Sequence, residues 1–255
     1  MRMLSVPGHF GELLQGRLGP EGPVALMTLP LPLPVIAAQV TGPGAAVAGP
    51  LPPPLARGLL RRLGLGFPGR VLIRARLPVG GGAGCSTAAL VALARLAGWR
   101  GDPMDLARAC VAVEGASDPL MLPGAGRLLW ASREGRVLGA MPPLARCEIV
   151  GGFFGPPQAT RDAGAFADIS DLIAGWRAAD LPRQAALASE SAARRWGDDR
   201  AAQAARALGA LGWTAAHTGS ARGLIFRRGA VPPCWRAALL AAGGRSLLRF
   251  RVGGE

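Results

Sequence analysis

Residues 78–90, "PVGGGAGCSTAAL", place four glycines within five residues and then turn to small, helix-forming side chains. A backbone without Cβ atoms can approach a ligand closely, and the first turn of the helix that follows begins "CST". Its free N–H groups and the positive end of its dipole make a site for an anion. Ser86 and Thr87 add hydroxyls suited to a phosphate or a magnesium ion. A plain loop with no ligand is the alternative reading of this stretch alone. Two familiar phosphate loops do not fit. GxxxxGK[ST] needs a lysine, and the chain has none. GxGxxG, counted from Gly80, meets Cys85 at its third glycine and, counted from Gly82, meets Thr87.

Other chemistries are excluded by composition. Cysteines stand at 85, 110, 147 and 234, with no CxxC pair and no histidine at ligand spacing, which gives neither a structural zinc site nor a disulfide framework. The net charge of +13 comes from 29 basic residues, all of them arginine. Lysine, asparagine and tyrosine, which share A/T-rich codons, are all missing, so a GC-rich genome accounts for much of the imbalance. The arginines are scattered and no aromatic residues interleave with them, so no nucleic-acid partner is expected. A basic surface still attracts an anionic ligand. The opening "MRMLSVPGHFGE" has no long apolar run and is not expected to be a signal peptide. The most apolar stretch, residues 24–40, carries Pro30, Pro32 and Pro34, which suit strands and not a membrane helix. The cytoplasm is the default location.

Elements that would position the loop follow from periodicity. Residues 22–41 predict strand, kink and strand, and a short basic helix falls near 55–64. Residues 71–77 alternate apolar and arginine side chains, a half-buried strand that feeds the glycine loop. A helix over 86–98 follows, then a second one announced by Asp102 as N-cap and Pro103 at the first helical position, breaking at Gly115. A hairpin is expected over 127–139. A boundary falls near 141–146, which divides the chain into 1–143 and 144–255. The second part predicts a strand from Cys147, three helices, a strand–glycine turn–strand over 212–229, and a closing helix and strand. The mixed order implies an α+β fold.

The loop resembles the phosphate loop of the GHMP kinases, P-x-G-x-G-L-[GA]-S-S-[AT]-A. Pro78, Gly80, Gly82, Gly84, Ser86 and Ala88 stand on the pattern, with Ala83 and Cys85 departing from it. "PGHFGELLQG" (7–16) resembles the "PASCGELIQG" opening of one branch, the L-threonine kinases of cobalamin synthesis; the wider superfamily has PGK there, and His9 takes the third place. "VEGASDPLMLPG" (113–124) is similar to that branch's "LEPTDSIMFPG" with one inserted residue before Asp118, and "AHTGSARGLIF" (216–226) is similar to its "AHSGSVIGLLF". The four motifs span residues 7–226.

The resemblance implies a two-lobed α+β kinase: an N-terminal ATP-binding lobe like domain 2 of ribosomal protein S5, and a C-terminal ferredoxin-like lobe. It implies ATP held by Pro78, Gly80, Gly81, Gly82, Ala83, Gly84, Cys85, Ser86 and Thr87, and Mg2+ by Ser86 and Glu114, although Glu114 could be a solvated carboxylate. Asp118 would orient or deprotonate the acceptor hydroxyl, or else cap a turn, in which case Ser117 faces the site. Glu12, Gln15, His217, Gly219, Ser220 and Arg222 would surround the acceptor. Glu12 is expected to meet an ammonium group and Arg222 a carboxylate; His217 could equally be a buried histidine and Arg222 a surface charge. Cys85, at a helix N-terminus, is either a reactive thiol protected by ATP or a buried stand-in for serine. The acceptor implied is L-threonine, giving O-phospho-L-threonine. Homoserine or an isoprenoid alcohol is the alternative within the fold, and a non-catalytic nucleic-acid-binding or regulatory protein the alternative outside it.

Overall fold

The apolar run with its three prolines, expected as strand, kink and strand, forms one strand. β2 (Val24–Gly42) lies antiparallel along β1 (Met3–Arg17). Proline cannot donate to a ladder, and the pair accommodates it as register slips, with Pro7 facing Pro34 and Gly8 facing Leu31. The computed structural model describes residues 2–157 and 166–253.

Eight more strands extend this pair. In the first part of the chain these are β3 (Ala46–Ala48), β4 (Arg70–Ala75), β5 (Leu128–Ala131) and β6 (Arg136–Ala140). The second part supplies β7 (Cys147–Phe153), β8 (Gly212–Ala215), β9 (Ala221–Phe226) and β10 (Arg245–Val252). The order is β10-β7-β9-β8-β1-β2-β4-β3, with the β5–β6 hairpin on the end of β2. Pairing is antiparallel throughout except between β3 and β4. The sheet therefore runs through both parts of the chain, joined where Glu12 of β1 pairs with Ala215 of β8. The core crosses at the same place: Phe10 packs edge-on against Phe153 at 5.6 Å and Phe250 at 5.8 Å between centroids.

Helices cover this sheet: α1 (Pro53–Arg62), α2 (Cys85–Leu96), α3 (Pro103–Glu114), α4 (Ser170–Trp176), α5 (Leu181–Trp196), α6 (Arg200–Ala207) and α7 (Trp235–Ala241). α2 is apolar on every side, and ten of its 12 residues are buried, as expected of a central helix. It packs on β1 and β2. α3 starts as its sequence predicts: Asp102 accepts the Met104 N–H at 2.8 Å, Pro103 follows, and Gly115 ends the helix in the left-handed region. The α+β expectation holds. Among the described residues no helix is long and apolar enough to cross a membrane.

Candidate active site

The loop after β4, the start of α2, the end of α3 and the bulge of β1 meet around a cleft. The glycine loop forms one wall, and its fit depends on residues that lack side chains. At Gly82, with φ +83°, a Cβ would lie 2.2 Å from the Ala216 Cβ and 2.7 Å from the Thr218 carbonyl oxygen. At Gly84, with φ +71°, a Cβ would meet the His9 ring at 2.7 Å. Backbone bonds brace the loop from two sides: Gly11 N–H donates to Gly82 O at 3.0 Å, and Ala221 N–H to Gly81 O at 2.8 Å. Gly84 is the N-cap of α2 and offers no side-chain cap. The first N–H groups of the helix thus have no partner within it and stand at the cleft.

Ser86, one residue into α2, donates its hydroxyl to Oε1 of Glu114 at the end of α3. Burial, and after it the charge of Asp118, push the Glu114 carboxyl up to about 7. A hydroxyl and a carboxylate so placed are the hard oxygen donors that magnesium takes, and the two residues fit that ion. Asp118 stands beside them in a pinned loop. Its N–H donates to Thr87 Oγ1 at 3.2 Å, Ser117 N–H donates to Ser132 O at 2.9 Å, and the buried Trp130 donates its Nε1–H to Ser117 O at 2.7 Å. Ser117 also lines the cleft, but the carboxylate facing the histidine is that of Asp118.

His9 is central to the electrostatics. Residues three apart on a regular strand point to opposite faces. The register of β1 slips between His9 and Glu12, around Gly11, and the two side chains share one face. His9 Nε2 lies 3.2 Å from Asp118 Oδ2, and Nδ1 lies 3.7 Å from Glu12 Oε1 and 3.2 Å from Gly11 O. Burial alone would lower the imidazole, but Asp118 chiefly, then Glu12 and the Gly11 carbonyl, raise it to about 9. Burial likewise favours the neutral acid at Asp118, yet His9 and Thr87 outweigh it and hold that carboxyl below the usual range. Glu12 is pushed up to about 7, mainly by burial, while accepting the His217 N–H. His9 presents a different nitrogen to each carboxylate, so the cluster is an internal ion pair with a second acid behind it, not the one-sided arrangement a single ion needs.

Of the residues marked in the sequence, Gly80, Gly82 to Thr87, Glu114, Asp118, Glu12 and His217 line the cleft together. Pro78, Gly81, Gln15, Gly219, Ser220 and Arg222 stand behind its walls. Pro78 accepts the Gly81 N–H at 3.1 Å, and Gly219 backs onto the loop, where a Cβ would lie 2.4 Å from the Gly81 carbonyl carbon. Ser220 O accepts the Phe154 N–H at 2.7 Å, and Gln15 donates to Ala215 O at 2.8 Å. Arg222, expected as a carboxylate clamp, is neither in the cleft nor on the surface. It is buried, with Nε 2.7 Å from Asp199 Oδ2 and its guanidinium 4.4 Å from the Trp196 ring. Of the two readings of Cys85, the thiol has the surroundings of the buried one. It is buried against Leu77 O at 3.8 Å, and burial, followed by the charge of Asp118, pushes it up to about 11, outweighing the helix N-terminus.

Three cleft residues carried no signal that sequence reading used: Ser132, Arg133 and Phe166. Arg133 and Phe166 belong to no motif, and only the fold brings them to the wall. His9 did carry one, since it fills the place of a lysine in a chain with no lysine.

No protein-family model matches the chain, and no curated protein sequence does. Solved structures match over nearly its whole length. The L. major mevalonate kinase in complex with R-mevalonate superposes with a TM-score of 0.58 at 14% identity, over 100% of this chain and 97% of that one. The phosphomevalonate kinase of Streptococcus pneumoniae gives 0.62 at 13% identity, over 98% of each. The homoserine kinase of Cytophaga hutchinsonii gives 0.58 at 15%, over 98% and 93%. The chain has the fold of these kinases.

Proposed function

We propose that the protein is an ATP-dependent kinase of a small hydroxylated metabolite, working in the cytoplasm. The acceptor we infer is L-threonine, phosphorylated to O-phospho-L-threonine for the aminopropanol arm of cobalamin synthesis. The observation that carries the kinase reading is the pairing of Asp118, kept ionised beside His9, with the uncapped start of α2 in the same cleft. The GELLQG opening and the AHTGS turn support threonine. A second acceptor class, homoserine or an isoprenoid alcohol, is favoured by the named kinases that share the fold. The division into an ATP-binding part, 1–143, and a second part, 144–255, belongs to the same reading.

Phosphoryl transfer asks a protein for position and charge neutralisation more than for covalent chemistry. The loop amides from Gly80 to Thr87 would hold the nucleotide phosphates, and Ser86 with Glu114 would hold magnesium. When bound, Mg-ATP supplies the phosphoryl group and neutralises its developing charge. Asp118 accepts a hydrogen bond from the acceptor hydroxyl and takes its proton as the new bond forms. A carboxylate with a lowered pKa is a weak base, so orientation is the larger part of that role. His9 fixes the carboxylate in place, and Trp130 fixes the loop that carries it. Arg222 is committed to Asp199, so the carboxylate clamp must lie elsewhere.

ADP release from Mg-ATP, measured with L-threonine, L-serine, L-homoserine, mevalonate and no acceptor, tests the reading. Threonine-dependent release is expected. Release with another acceptor moves the substrate and keeps the kinase; folded protein that neither turns over nor binds ATP overturns both.

A further inference from the structure

The cleft lining holds a cation that the motifs do not account for. Arg133, in the turn of the β5–β6 hairpin, is the one guanidinium among the described residues that lines the cleft. Its Cζ lies 5.4 Å from the centroid of Phe166. Among the described residues it has no hydrogen-bond or ion-pair partner. Phe166 in turn stacks on the His217 ring, centroids 4.6 Å apart and planes 5° from parallel. His217 is buried, and among the described residues neither ring nitrogen has a partner. Burial and the nearby charges of Arg195 and Arg133 pull its imidazole down to about 3, so it is neutral and adds no charge of its own. Unpaired buried nitrogens are costly, and a wall built of them points to a polar occupant beside it.

The charge around the cleft is unevenly spread. Glu114 and Asp118 stand at the phosphate loop, and Glu12 accepts the backbone N–H of His217. These carboxylates repel an acid group of the acceptor, and among the described residues the only permanent positive charge on the lining is Arg133. We propose that Arg133, backed by Phe166 and His217, receives a carboxylate of the acceptor. The acceptor class is then a hydroxy acid or hydroxy amino acid, bound with its acid on Arg133 and its hydroxyl toward Asp118. Arg133 presents a planar fork suited to a carboxylate, and it takes the place that the sequence had offered to Arg222. This inference rests on the kinase reading for its orientation but not for its test.

Calorimetric titration of the whole protein decides it, using L-threonine, L-homoserine and mevalonate, each against its own methyl ester. The esters keep the hydroxyl and lose the charge. Titrations are run with and without Mg2+ and a non-hydrolysable ATP analogue. At least one acid is expected to bind tenfold or more tighter than its ester. Arg133→Gln should erase that difference and leave the affinity for the analogue unchanged. Phe166→Leu, which keeps the charge and removes its support, should weaken the acid by a smaller factor. The inference is overturned if no acid binds better than its ester, if the preference survives Arg133→Gln, or if that variant loses the analogue instead. Failure of the wild type to bind the analogue sinks the kinase reading, while acid–ester discrimination through Arg133 still stands or falls by itself.

Discussion

His9 and Arg222 are both buried cations with a carboxylate in reach, and their surroundings differ. Arg222 is fully employed: Asp199 takes its Nε, the carbonyls of Gly219 and Ala221 take Nη1, and Trp196 lies against its plane. Asp199 is also the N-cap of α6, accepting the N–H groups of Ala201 and Ala202. That cluster ties α5 and α6 to β9 and lies outside the cleft lining. His9 stands between two acids that share one cation, with Glu12 near 7 and Glu114 near 7 close by. Satisfied buried charge is architecture, whereas crowded charge with shifted pKa values beside a cleft is the mark of a working site.

The largest effect expected is at the seam between the two regions, where the phosphate loop rests on the β8–β9 turn. Gly82→Ala places a methyl 2.2 Å from the Ala216 Cβ at φ +83°. It should cost about 3 kcal/mol of stability and displace the loop enough to cut activity by about a hundredfold. Denaturant unfolding and turnover on the same preparation check both. Arg222→Ala is next: a loss of about 2 kcal/mol, with ATP and acceptor KM values within twofold of wild type. A large rise in the acceptor KM with unchanged stability would reverse the comparison.

Proton binding separates the regions further. His9 holds its proton to about 9 against an ordinary value of 6.5, and Glu12 to about 7 against 4.5. Both folded values are raised, so the stability they contribute is complete below the ordinary values and is lost as pH rises through the folded ones. The unfolding midpoint should fall from pH 4.5 to 7 through Glu12, and from 6.5 to 9 through His9. His9→Gln should remove the upper stage, and Arg222→Ala neither stage. The smallest effect is at Trp130. Trp130→Phe removes the bond to Ser117 O, costing about 1 kcal/mol and at most about tenfold in kcat.

Local chemistry was readable where a residue speaks for its own backbone. Asp102, Pro103 and Gly115 bounded α3, alternation marked β4, and apolar continuity marked α2. The glycine loop announced a backbone that must come close to something. The fate of long side chains was not readable. Nothing local tells that Arg222 turns inward to Asp199, or that Arg133 reaches the cleft, because pairing depends on contacts far apart in sequence. β2 was divided at its prolines because the register slips that absorb them depend on β1. The two readings of Cys85 stay open in the sequence because a helix-end effect is visible there and burial is not.

The measurement that bears most directly on the account is acceptor-dependent ADP release by Asp118→Asn. The change keeps the shape of the side chain and removes the charge facing His9. Circular dichroism and binding of the ATP analogue would show that the variant is folded and loaded. The account predicts a fall of about 10²–10⁴ in kcat with analogue binding preserved. Turnover within threefold of wild type would contradict it and would make Asp118 a partner of His9 alone.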